Sequence, residues 1–157
     1  MNVLQSIDEG RFSDIVIAKK LSFNDIIKKL KDKYILTGSR AFGVNNEYSD
    51  YDIVCLEQML VNMIKITNSI DWQFFSSSMY NKFNTISNCK YITKDNKIVN
   101  FLTYDNIKFI ELFNEINSRM VEDMSIKDLS IKEKRYKHFE YLFEQVRLEL
   151  SYIKKGK

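Results

Sequence analysis

The chain has 157 residues, 45% of them apolar and 29% charged, with a formal net charge of +3. That balance suits one globular domain with a buried core, which nine tyrosines and eleven phenylalanines help to fill, and it excludes a disordered chain. The small net charge, the excess of Lys over Arg and the lack of proline read as AT-rich coding bias, so DNA binding is not indicated.

Residues 22–33 read as a helix. Ser22 stands at the N-cap, Asp25 follows three residues on, and Phe23, Ile26, Ile27 and Leu30 form one apolar stripe. Tyr34-Ile35-Leu36-Thr37 is a short strand. Segment 38–49 carries two of the four glycines and Asn45-Asn46, a tight loop opening a short helical turn. A second strand covers 51–56 and a helix 58–67. Segment 70–75 reads as strand or loop, broken by Ser76-Ser77-Ser78. Segments 89–92 and 97–102 form a hairpin that turns at Thr93-Lys94-Asp95-Asn96. From Asn106 the pattern is helical, with Phe109, Leu112, Phe113 and Ile116 in step. A last long helix is expected from Ser130, with Glu133 completing a capping box and Tyr136, Phe139, Leu142, Phe143, Val146, Leu150 and Ile153 holding the 3.6 period. This order fits a small α/β domain, one unit over 1–157 with its core at 22–105 and a helical part at 106–155.

Neither Cys55 nor Cys89 stands in a metal-ligand spacing, so no zinc site is expected, and Cys55 reads as a small buried hydrophobe. Met1 to Glu9 lacks a basic start followed by an apolar run, and no stretch approaches a membrane span. The expectation is a cytoplasmic protein with no membrane partner.

The most informative stretch is Gly38-Ser39-Arg40-Ala41-Phe42-Gly43 followed by Ser49-Asp50-Tyr51-Asp52. A Gly-Ser turn leaving an apolar strand lets backbone N–H groups face a phosphate. Two aspartates at i and i+2 then enter a second apolar strand, where alternation puts both carboxylates on one side, toward one hard cation. A phosphate cradle beside a divalent-metal site is what phosphoryl or nucleotidyl transfer requires.

These residues resemble, position for position, the signature of the DNA polymerase β-like nucleotidyltransferase superfamily, and most of all its minimal, single-domain members. The resemblance implies a small mixed sheet (α+β) with helices packed on it, C-terminal helices, and a site at one sheet edge. It implies that Gly38 and Ser39 bind the triphosphate of a nucleoside triphosphate (NTP) and that Asp50 and Asp52 are the catalytic ligands of Mg²⁺ (or Mn²⁺). Arg40 either lies along the phosphates or closes its loop. Ser49 orients the loop beside the nucleotide rather than acting as a nucleophile, since no His or Lys base flanks it. Active members place a third carboxylate on a later strand; here that strand carries Asn100, which offers one carbonyl oxygen and no charge. Asp71, Asp95 and Asp105 are alternative carboxylates, each equally at home in a turn or cap. A looser likeness to nucleotidyltransferase-like proteins of bacteriophages rests on Asn100, the helix from Asn106, Lys132-Glu133-Lys134-Arg135 and Phe139. It would place the chain in the host cytoplasm of an infected bacterium.

Other residues read as structural. His138 suits a helix-packing or surface position. Lys132, Lys134, Arg135 and Lys137 read as a solvated basic face, with nucleotide steering as the minor reading. Trp72, Phe74 and Phe75 read as core. Two functions follow. The first is metal-dependent transfer of a nucleoside monophosphate from an NTP to a hydroxyl acceptor on protein or RNA, with release of pyrophosphate. The second is a catalytically impaired relative that binds a nucleotide or a protein partner, such as a viral accessory factor.

Overall fold

The computed structural model describes residues 21–67, 72–74, 83 and 85–155. The expectations for Met1 to Glu9, Asp71, Phe75 and Ser76-Ser77-Ser78 lie outside the described residues. Elements in chain order are α1 (Phe23–Leu30), β1 (Tyr34–Thr37), α2 (Gly38–Ala41), β2 (Tyr51–Leu56), α3 (Glu57–Ile66), β3 (Trp72–Phe74), β4 (Ser87–Ile92), β5 (Ile98–Tyr104), α4 (Ile107–Asp123), α5 (Ile126–Leu129) and α6 (Lys132–Lys155). Among the described residues no helix is long and apolar enough to cross a membrane.

The sheet is mixed, in the order β1-β2-β5-β4-β3. Only β2 and β5 run parallel; the other pairs are antiparallel. A parallel pair needs a crossover, and α3, β3 and β4 intervene between β2 and β5 to supply it. β5 is central and buried along nearly its whole length, which explains its continuous apolar character, whereas alternation elsewhere sorts residues between the two faces.

On one face Ile53, Cys55, Val99 and Phe101 pack with Ile26 and Leu30 of α1 and Leu60 and Met63 of α3. On the other, Val54, Leu102 and Tyr104 pack with Ile110, Phe113 and Ile116 of α4 and Phe139, Phe143 and Val146 of α6. Each such side chain contributes roughly 1.5–3 kcal/mol on full burial. Trp72 is core, lying against Tyr91 and Phe101.

Local signals act as expected at α1. Ser22 Oγ accepts from Asp25 N–H while Asp25 Oδ2 accepts from Ser22 N–H, and Lys31 ends the helix in the left-handed region at φ 51°. The start of α6 differs from expectation. It begins at Lys132, and Ser130 closes the short helix α5 instead, its hydroxyl donating to Lys127 O at 2.5 Å.

Candidate active site

The site forms where three strands present polar residues on the α4/α6 face. Registers place Thr37 opposite Asp52 across β1–β2 and Asn100 opposite Asp52 across β2–β5. Pleating turns Asp52 to the same side as Val54, Thr37 to the side of Ile35, and Asn100 to the side of Leu102, all toward that face. Asp50 precedes β2 by one residue and follows the same two-residue rule.

Both aspartates converge on one point. The Asn100 amide Nδ2 donates to Asp50 Oδ2 at 3.1 Å and to Asp52 Oδ1 at 3.0 Å. Asn100 is buried, and its Oδ1 has no hydrogen-bond partner among the described residues. Two anionic oxygens therefore sit around a single NH₂ group, with an unused carbonyl oxygen on the same amide.

The glycine bend lies directly against this group. Gly38 has φ +75°, open only to glycine at low cost, and a Cβ added there would collide with Asp52 Oδ2. Gly38 is thus required twice, for its backbone conformation and for the space beside the carboxylate. Ser39 follows in α2, its carbonyl accepting from Val44 N–H at 3.0 Å. Gly43, at φ +71°, reverses the chain after α2.

Arg40 bonds within its own loop. Its Nε donates to Ser49 O at 2.9 Å and NH2 reaches Glu47 O at 3.3 Å, while the guanidinium lies 3.9 Å from the Tyr51 ring centroid. Ser49 Oγ accepts from Asn46 N–H at 3.0 Å, a bond within the same loop.

Of the alternative carboxylates, the two that are described lie elsewhere. Asp95 accepts from Phe23 N–H at 3.0 Å at the start of α1, where a negative charge suits the helix dipole. The Thr93 hydroxyl, with Phe23 N–H and Lys97, holds its carboxyl below the usual range. Asp105 is exposed beyond the end of β5 opposite to Asn100. Among the described residues no cluster of three or more His, Cys, Asp or Glu is placed to hold a metal. On β5 the residue that bonds to both aspartates is Asn100.

The donor set present fits a single hard cation. Asp50 and Asp52 supply anionic oxygens around one point, the Asn100 amide would present its unpartnered carbonyl oxygen there by exchanging it with the NH₂ that now bridges them, and Mg²⁺ takes few carboxylates with water and phosphate completing its shell.

Of the residues around the site, Asn117 was not singled out from sequence, and Arg135 was read only as part of a basic cluster. Asn117 of α4 accepts from Thr37 Oγ1 at 3.1 Å and donates from Nδ2 to Leu36 O at 2.9 Å, pinning α4 to the end of β1. A polar residue within an otherwise apolar helix period was the only available sign. Arg135, expected on a solvated face, is 7% exposed and lines the cleft that holds Gly38 and Asp52. Its NH1 donates to Leu129 O at 2.8 Å. His138, half-buried, pairs with Asp123 at the end of α4 at 2.7 Å.

Compared with known families, residues 17–142 match the one described as a nucleotidyltransferase domain. Neither the curated proteins nor the solved structures gave a match. The matched span takes in the Gly38 bend, both aspartates, Asn100 and Arg135, and covers most of the chain: the protein belongs to the nucleotidyltransferase domain family.

Proposed function

We propose that the protein transfers a nucleoside monophosphate from an NTP to a hydroxyl group on a protein or RNA, with Mg²⁺ or Mn²⁺ held by Asp50 and Asp52. The observation that carries this reading is the convergence of the two carboxylates on one point, with Gly38 packed against Asp52. In the reaction the acceptor oxygen bonds to the α-phosphorus as its hydroxyl proton passes to solvent water, the bond to the β-phosphate bridge breaks, and pyrophosphate leaves with that electron pair. When bound, the cation supplies positive charge that offsets the charge of the leaving pyrophosphate and acidifies the acceptor hydroxyl.

The chain's own residues do the rest. Asp50 and Asp52 fix where the charge sits, and Asn100 keeps their side chains aimed at one another before substrate arrives. Gly38 and Ser39 let the backbone approach the triphosphate, because no Cβ fills the space beside Asp52. Arg40 and Ser49 hold the loop between the bend and β2 in shape, so that its two ends keep their spacing. Positioning of this kind supplies much of the rate in phosphoryl-group chemistry.

Asn100 favours a second reading, a relative that binds a nucleotide without turning it over. One experiment separates the two. The protein is incubated with each α-labelled NTP, Mg²⁺ or Mn²⁺ and cell extract, beside an Asp50→Ala/Asp52→Ala variant. Label transferred only by the unaltered protein supports the transferase. NTP binding without transfer, and with no gain on Asn100→Asp, supports the binding protein.

A further inference from the structure

Arg135 is placed where a surface lysine-like role makes no sense. It is 7% exposed, on α6, in the wall of the cleft whose polar end is Gly38 and Asp52 and whose other walls include Phe113, Tyr136 and Phe139. A guanidinium has five N–H donors and stays charged, so its burial is costly unless the donors and the charge are answered. Among the described residues one carbonyl, Leu129 O, takes a hydrogen bond from NH1, and the Tyr136 ring stands 5.4 Å from the guanidinium carbon. The Nε atom is buried and has no hydrogen-bond partner among the described residues.

We propose that Arg135 is a phosphate ligand, receiving an anionic oxygen of the nucleotide's phosphate chain. The proposal rests on the nucleotidyl-transfer reading and assigns a side of that site on a different element. Leu129 O fixes the head group through NH1, and Nε, on the other edge of the guanidinium, is a buried donor with no partner among the described residues. Planar, permanently charged and partly pre-oriented, Arg135 answers a phosphate as a solvated lysine would not. The aromatic walls beside it exclude water and strengthen the bond.

The test is binding of each of the four NTPs, and of the matching nucleosides, to the full chain by calorimetry in Mg²⁺. The wild type should bind at least one NTP more tightly than its nucleoside. Arg135→Gln should weaken that NTP about 10- to 100-fold while changing the nucleoside by less than about threefold. Arg135→Gln also removes the bond to Leu129 O; should it melt far below the wild type, Arg135→Lys decides, with an expected selective loss of at least about threefold. An unchanged NTP-to-nucleoside ratio in the folded variant overturns the role of Arg135 and leaves the transferase reading standing. A wild-type protein that does not prefer an NTP over its nucleoside overturns both.

Discussion

Asn100 gives each aspartate one hydrogen from the same NH₂ group, and those bonds offset the repulsion between two like charges. Replacing it with a third carboxylate removes those donors and adds repulsion. Asn100→Asp is therefore expected to unfold about 2 kcal/mol more easily in EDTA, and to gain more stability from Mn²⁺ than the wild type does, measured by denaturant titration with and without the metal. Equal response to Mn²⁺ would mean that position 100 does not face the ion. Gly38 is constrained by backbone and by space together. Gly38→Ala is expected to lose about 2 kcal/mol of stability in the same titration, from the left-handed backbone and contact with Asp52. The aspartates and the bend were legible in sequence because their chemistry is local, two residues apart or within one turn. The burial of Arg135 was not, since the basic neighbours Lys132, Lys134 and Lys137 disguise a residue whose environment is set by strands nearly a hundred positions earlier.

The elements themselves followed their local signals closely. α1 starts at Ser22 because Ser22 and Asp25 satisfy each other's backbone N–H groups, and Ser22 also holds the Asp25 carboxyl below its usual range. A lowered carboxyl stabilises the fold above the unfolded value, about 3.9, and that contribution is lost as pH falls through the folded value. Asp25→Asn is accordingly expected to lower the urea midpoint at pH 7, with the gap from wild type closing below about pH 4. A constant gap across that range would show that ionisation is not the cause. The apparent capping box at Ser130 and Glu133 misled for a definable reason. Ser125 caps α5 through Asp128 N–H, so the chain was already helical at Ser130, whose hydroxyl then turned back to Lys127 O. The sheet order was beyond local reading, because pairing β2 with β5 joins segments almost fifty residues apart.

One sheet divides the core into two halves, and the candidate site opens on the half covered by α4 and α6. The opposite half holds both cysteines, and burial pushes the Cys55 and Cys89 thiols up to about 12. Neither is expected to react with a thiol reagent at pH 8 while the fold is intact, and both should react on unfolding; rapid native labelling would contradict the described core. Fold and site are coupled through few links. Thr37 and Asn117 tie α4 to the end of β1, Arg135 ties α6 to α5, and the Gly38 bend and Asn100 close around Asp52. In the proposed function Asp50 and Asp52 jointly grip a divalent ion beside a bound polyphosphate. Mn²⁺ binding followed by electron paramagnetic resonance, with an NTP analogue that cannot be cleaved, addresses it. One Mn²⁺ should bind the unaltered chain, weakening by at least about 100-fold in Asp50→Asn/Asp52→Asn; an equal affinity in both proteins would contradict the account.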